Sequence, residues 1–240
     1  MKYAIVTGGT RGIGSQICID LLQKGYFVIT NYSSHEEYAK IAENEFSKYS
    51  SNFSITKADQ SSEKELKSFI EFIKMKTNVI HCIVCNTGLT IRKTLVDISS
   101  NEWEKMFQVN VHSHVYLIKY LDDLIQDNSK IIFIGSLLAI HPHSTSLGYA
   151  VTKAAIHALA LNLVKDFADR KVTVNTIAPG FVETDWQKNK PLEIRQNINN
   201  KTALKRFATI QEISMVCMMI VDNDFINGAT LQVDGGYNYK

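Results

Sequence analysis

Thr7-Gly8-Gly9-Thr10-Arg11-Gly12-Ile13-Gly14 closes the apolar run Tyr3–Thr7 and opens an amphipathic stretch that starts at Gly12. A glycine-rich turn between a strand and a helix lets the backbone approach a phosphate, whose charge meets free amides at the helix N-terminus. The spacing G-x-x-x-G-x-G from residue 8 is narrower than a general glycine loop. No Gly-Lys-Ser/Thr ending follows, which disfavours nucleoside triphosphate chemistry. A plain tight connection between strand and helix is the alternative reading of the same residues.

The rest of the chain repeats this grammar. Val/Ile-rich runs at Phe27–Asn31, Phe53–Lys57, Val79–Cys85, Lys130–Gly135, Thr173–Ile177 and Thr230–Val233 read as further strands. Between them, Gly12–Lys24, His35–Tyr49, Ser61–Lys76, Asn101–Ile125, Ser146–Asp169 and Ile210–Val221 carry helical patterns. Regular alternation of this kind predicts an α/β domain with a parallel sheet and helices on both faces. No linker or repeat interrupts it, so residues 1–240 are expected to form one doubly wound domain.

Composition narrows the class. The 240 residues are 45% hydrophobic and 21% charged, with only 12 glycines and 3 prolines, which excludes a collagenous or low-complexity chain. A single core at this size buries roughly 70–75% of the unfolded chain's surface without disulfides or metals. Lys plus Arg number 26 against 24 Asp plus Glu, and the basic residues are scattered, so no nucleic-acid or membrane partner is expected. The opening MKYAIVTGG has no targeting features, and the apolar run Ile213–Val221 is far short of the roughly 20 residues that span a bilayer. A cytoplasmic protein is the resulting expectation. Cys18, Cys82, Cys85 and Cys217 read as reduced core thiols, because the CxxC of Cys82 and Cys85 lies inside the strand-like run NVIHCIVCN. No His/Cys/carboxylate cluster has zinc spacing, so no metal is expected.

The second strand bears on which dinucleotide binds. A carboxylate near its end would bond a ribose 2′-hydroxyl and repel a 2′-phosphate, but Phe27-Val28-Ile29-Thr30-Asn31-Tyr32-Ser33 has none. Asn31, Tyr32 and Ser33 leave room for the phosphate and Arg11 attracts it, which predicts NADP(H) over NAD(H). Tyr149 and Lys153, spaced i, i+4, share one face of a helix. Ser136 follows the strand KIIFIG, where strand ends in an open α/β sheet face the ligand crevice. A phenol with a pKa near 10 is a poor acid–base catalyst at neutral pH, and a neighbouring ammonium lowers that value.

These residues resemble the short-chain dehydrogenases/reductases along essentially the whole chain. TGGTRGIG is similar to the family's cofactor turn, which implies contacts from Gly8, Thr10, Arg11, Gly12, Ile13 and Gly14. Asp59 in KADQSS resembles the aspartate near the adenine, and Cys85-Asn86-Thr87-Gly88 stands where the family has Asn-Asn-Ala-Gly, with Asn86 and Gly88 kept. The resemblance implies a catalytic set of Asn110, Ser136, Tyr149 and Lys153. Asn110 would hold a water on the proton relay, and Tyr149 and Lys153 would also contact the cofactor. Pro179, Gly180, Val182 and Thr184 would cradle the nicotinamide carboxamide, with Ile177 against the ring. The implied sheet order is 3-2-1-4-5-6-7.

The tail LKRFATIQEI with FINGATLQVDGGY is similar to the 3-oxoacyl-acyl-carrier-protein reductases of fatty acid synthesis, and sugar, steroid and xenobiotic carbonyl reductases share it. An acidic carrier protein would dock on Lys130, Arg170 and Lys171, whereas Asp122, Asp123 and Asp127 oppose it. The expected activity is reduction of a small-molecule or carrier-bound ketone by NADPH. Oxidation of another secondary alcohol is the nearer rival, and a non-catalytic dinucleotide scaffold the remote one. An enoyl reductase is disfavoured by the close Tyr149–Lys153 spacing. Apolar residues around the whole circumference of Ala150–Ala168 predict a partner subunit, in a homotetramer or homodimer. His141 and His143 flank Pro142 in the loop before Tyr149 and are candidates for shaping specificity, and His112 and His114 read as packing residues. The polar run Asp185–Lys201 is expected to form a lid.

Overall fold

Strands β1 (Lys2–Val6), β2 (Tyr26–Tyr32), β3 (Phe53–Lys57), β4 (Ile80–Cys85), β5 (Ile125–Ile134), β6 (Thr173–Pro179) and β7 (Thr230–Val233) form one seven-stranded sheet. The computed structural model that shows this describes residues 1–142, 146–237 and 239. His143 therefore lies outside the described residues. The strand order is β3-β2-β1-β4-β5-β6-β7 and every pair is parallel, as the sequence implied.

Both faces of the sheet are covered, which is why its strands read as continuous apolar runs. Successive side chains alternate between the two layers. Ala4 and Val6 face α1 (Gly12–Gln23), α2 (Glu36–Phe46) and α9 (Ile210–Asp222), through Ile17, Leu21, Phe46 and Ile213. Ile5 points the other way, into a core with Leu66 and Phe69 of α3 (Glu63–Lys76), Leu117 of α5 (Ser113–Leu121) and Ile156 of α6 (Leu147–Asp166). Cys82 belongs to the first layer and Cys85 to the second, and burial pushes both thiols upward.

Three expectations change. The single helix expected over Asn101–Ile125 is broken into α4 (Ser100–Phe107), a π turn over Gln108–His112 and α5, followed by a 3₁₀ turn at Asp122–Leu124. Ser99 and Glu102 start α4 with a reciprocal capping box. Second, β5 begins at Ile125 and not at Lys130. It pairs with Ile80 at Ile125, shifts register, and pairs again from Lys130, with Asn128 at φ 61 taking up the irregularity. Third, the polar lid segment contains two helices, α7 (Asp185–Lys188) and α8 (Leu192–Lys201).

By length and composition α6 could cross a membrane. Here it packs on the sheet with Thr152, Lys153, Ile156 and Ala160 buried, while Leu147, Val151 and Leu161 lie exposed on its outer side.

The entry to α1 is packed tightly enough to test. A Cβ at Gly9 would lie 2.3 Å from Thr30 Oγ1 and 2.6 Å from Cys18 Sγ. Overpacking of this kind costs about 1–3 kcal/mol. At roughly 2–4 °C per kcal/mol for this chain length, Gly9→Ala is expected to lower the thermal unfolding midpoint by several degrees, measured by scanning calorimetry.

Candidate active site

The turn after β1 is held in shape by its neighbours across the sheet. Gly8 N–H donates to Asn31 Oδ1 at 3.1 Å, and Gly9 N–H to Thr30 Oγ1 at 2.9 Å. From the other side, the backbone amides of Asn86 and Thr87 donate to Thr7 Oγ1 at 2.9 and 3.0 Å. Asn86 Nδ2 donates to the Thr7 and Gly8 carbonyls at 2.9 and 3.2 Å. Gly8 and Gly12 sit at φ +65 and +57, backbone that a side chain would strain. Arg11 is the N-cap of α1 without a capping side-chain bond, which leaves the first amides of the helix for an anion.

The turn opens on a cleft of about 490 Å³ along the carboxyl ends of the strands. Gly8, Thr10, Arg11, Gly12, Ile13, Asn31, Tyr32, Ser33 and Asp59 line one end, with His35 and Tyr38, which the sequence reading missed. Asn86, Gly88, Ser136, Tyr149, Lys153, Pro179, Gly180, Val182 and Thr184 line the other, with Leu89, Trp186 and Gln187 added. The expected residues off the wall are Gly14, Asn110 and Ile177. Gly14 lies where α1 crosses the turn, 2.5 Å from Asn86 Nδ2 at its built Cβ, and Ile177 is buried in the core below the sheet.

Asn31 has a structural part besides its expected place on the wall. Its amide accepts from Gly8 N–H and donates to the Ala58 carbonyl at 2.7 Å, so it shapes the turn as well as lining the cleft. Asp59 likewise accepts from Ser61 N–H at 2.9 Å. Among the described residues Arg11 has no ion pair within 4 Å, and its guanidinium lies 5.2 Å from the Tyr38 ring centre.

At the catalytic end, Ser136 leaves β5 with its Oγ accepting from Leu138 N–H at 3.1 Å and its own N–H directed at His157 Nε2 at 3.4 Å. Tyr149 stands half-buried on the wall. Burial pushes the phenol up to about 12, against a hydrogen bond with Ser136 that pulls it down, so the lowering expected from the neighbouring ammonium is outweighed by desolvation. Lys153 is almost fully buried, donates to the Ile134 carbonyl at 2.6 Å, and lies 5.7 Å from the Tyr149 ring centre. Burial lowers its ammonium to about 8, and Cys85 acts weakly in the opposite sense. His114 and His157 are lowered to about 3 and 4 by burial and by Lys153, so both are neutral.

Asn110 sits in the π turn behind the wall. Its Oδ1 accepts from Leu89 N–H at 2.7 Å, and its Nδ2 donates to the Leu89 carbonyl and to Thr152 Oγ1 at 2.9 and 2.8 Å. It thereby ties the loop after β4 to the helix that carries Tyr149 and Lys153. A π turn is common at functional sites and rare elsewhere.

The cations expected to receive a carrier protein are largely engaged. Lys130 is buried and paired with Asp224 at 2.6 Å, and Arg170 is held by Asp122 Oδ1 at 2.7 Å and by the Ile125 carbonyl. Lys171 is exposed.

A doubly wound sheet with an anion-binding turn at one end of its crevice and Ser136, Tyr149 and Lys153 at the other defines a dinucleotide-dependent oxidoreductase. The chain belongs to the short-chain dehydrogenases/reductases: a family model described as enoyl-(acyl carrier protein) reductase matches residues 8–238. The 3-oxoacyl-[acyl-carrier-protein] reductase FabG of Aquifex aeolicus is 30% identical over 240 residues, covering 98% of this chain and 96% of that protein. The 2-dehydro-3-deoxy-D-gluconate 5-dehydrogenase of Pseudoalteromonas atlantica is 30% identical over 246 residues, covering 98% and 95%. A blue fluorescent protein from a metagenomic library, solved in complex with NADPH, superposes with a TM-score of 0.91 at 25% identity, covering 100% of this chain and 98% of that one. The protein is an NADP-dependent oxidoreductase. The residues present fit that cofactor: the glycine turn, the uncapped α1 amides and Arg11 suit its phosphates, and Lys153 suits a ribose hydroxyl pair.

Lys153 makes this fit measurable without turnover. Its folded value, about 8, lies below the ordinary 10.5, so the fold disfavours the ammonium and stability rises as pH climbs from about 8 toward 10.5. Lys153→Met is expected to raise the thermal midpoint by a few degrees at pH 7 while abolishing activity. Thermal melts at pH 7 and 10 check this, and the variant's advantage must shrink at the higher pH.

Proposed function

We propose that the protein reduces a ketone to a secondary alcohol with NADPH, and that a 3-oxoacyl thioester is the substrate class. The observation that carries this reading is geometric: Ser136, Tyr149 and Lys153 stand together on one wall of the cleft, with the phenol hydrogen-bonded to Ser136. NADPH, when bound, supplies a hydride to the carbonyl carbon. Ser136 orients the carbonyl oxygen, Tyr149 donates the proton to it, and Lys153 offsets the negative charge left on the phenol. Asn110 keeps the Leu89 loop and α6 in register so that these groups stay aligned.

The relatives named for 3-oxoacyl-carrier reduction support the thioester. A second reading, a sugar-acid or other small ketone, is favoured by the engagement of Lys130 and Arg170 within their own fold and by the gluconate-named relative. The exposed apolar side of α6 supports a homotetramer or homodimer, and the cytoplasm is the compartment assigned in this reading.

NADPH oxidation is to be followed over 3-oxoacyl thioesters on a carrier protein and on a small thiol, diketones, keto-sugars and ketosteroids, with the reverse reaction alongside. Turnover fastest with the 3-oxoacyl thioesters is the expected result, and fastest turnover of a keto-sugar establishes the second reading. Tyr149→Phe is expected to lose about 10²- to 10⁴-fold in turnover with NADPH affinity nearly unchanged. Near-normal turnover would refute the mechanism. Arg11→Ala is expected to weaken NADPH binding and leave NADH binding nearly untouched, as read by fluorescence titration.

A further inference from the structure

Trp186 is the one large aromatic side chain that α7 sends across the cleft. Its ring centre lies 6.1 Å from that of Tyr149 at an interplanar angle of 74°, an edge-to-face contact with the proposed acid. The far edge of the indole reaches deeper still. At the point where a Cβ on Gly88 would lie, three groups converge: Lys153 Nζ at 3.6 Å, Asn110 Oδ1 at 3.7 Å and Trp186 Cη2 at 3.7 Å. The indole edge and the ammonium that the cofactor reading gives to the nicotinamide ribose thus border one small space beside Gly88.

The indole's mounting allows it to yield. Helix α7 is four residues long, and Trp186 keeps 43% of its surface exposed. Asp185 is tied to Lys188 and Tyr38, and Gln187 is buried, with its N–H donating to the Thr184 carbonyl at 2.9 Å and its carbonyl accepting from Lys190 N–H at 3.0 Å and Arg195 Nη1 at 3.3 Å, so the turn is held while the half-exposed Trp186 side chain is the part able to swing.

We propose that Trp186 determines substrate choice: its indole is a movable plug that gives way to the nicotinamide end of NADPH and then roofs the ketone site, admitting carbonyls with flat or unbranched neighbours. The inference rests on the NADPH reading of the cleft. A side chain that fills a binding site reduces apparent ligand affinity by the fraction of molecules in which the site is open. Turned aside, the indole remains next to Tyr149, which it already meets edge to face, and there it crowds branched groups.

The test uses the full chain. Trp103 and Trp186 are its two tryptophans, so Trp103→Phe leaves Trp186 as the sole indole reporter. Saturation with NADP⁺ is expected to shift its emission to the red and raise its quenching by acrylamide. Trp186→Ala is expected to bind NADP⁺ at least about threefold more tightly by calorimetry. It is also expected to raise kcat/KM for branched relative to unbranched ketones about tenfold. Unmoved emission with equal NADP⁺ affinity in parent and variant overturns the plug and leaves the cofactor reading intact. An unchanged branched-to-unbranched ratio overturns the roof. If NADP⁺ binds neither protein, the cofactor reading falls and the plug with it.

Discussion

The cleft depends on a chain of side-chain hydrogen bonds that stitches the carboxyl ends of four strands together. Ala58, just past β3, accepts from Asn31 of β2; Asn31 and Thr30 accept from the glycine turn after β1; and Asn86, just past β4, grips that turn from the other side. A glycine turn has little stiffness of its own and loses more conformational freedom on folding than other residues do. The flanking Asn and Thr side chains supply the order. They also satisfy backbone groups that would otherwise be buried without partners at the sheet's edge. A phosphate-binding shape made of backbone alone persists here because its neighbours are polar and short.

The catalytic end is organised around a conflict. Burying the Lys153 ammonium, with a shift from 10.5 to about 8, amounts to about 3 kcal/mol of unfavourable energy, a large part of the roughly 5–15 kcal/mol that holds a domain together. The fold tolerates this by giving the ammonium the Ile134 carbonyl and by keeping both nearby histidines neutral. Had either imidazole been charged, the lysine would have been driven further toward its neutral form. His157 has a second part, since its Nε2 faces the backbone N–H of Ser136 and a Cβ on Gly135 would lie 2.2 Å from it. Lysine, serine and histidine are thus mutually fitted.

Features fixed by local chemistry were legible in the sequence. The turn, the strand runs and the i, i+4 spacing of Tyr149 and Lys153 each depend on residues close together in the chain, and the sheet order followed from resemblance. What escaped depends on contacts across the sheet. A short amide at a strand end serves a ligand or a neighbouring backbone equally well, and only the fold shows that Asn31 also braces the glycine turn. The π turn at Asn110 adds one residue to a helical turn, a change too small for an apolar period to register. The start of β5 was hidden because Gln126-Asp127-Asn128-Ser129 has no alternation, and the chain crosses it by placing Asn128 in the left-handed region. The lid helices were missed because α8 faces water on most sides and buries only Ile198.

Substrate choice lies outside what the sheet determines. Ser136, Tyr149 and Lys153 are placed by a strand end and a helix packed on the sheet, so the sheet fixes where they stand. The walls that touch a substrate come from elsewhere, with Leu89 in the loop after β4 and Trp186 and Gln187 in the lid. Such segments change without disturbing the core, and function varies where the scaffold is indifferent. Relatives named for a fatty-acyl and for a sugar-acid substrate stand at the same 30% identity to this chain. Identity at that level therefore measures conservation of the frame that delivers hydride and proton. Lys130 and Arg170 make the same point in reverse, since cations that sequence alone assigns to a partner are engaged in holding β5 and its approach in place. The residues that distinguish one ketone from another must be sought among side chains that enter the cleft and bear no load in the core, and Trp186 meets both conditions.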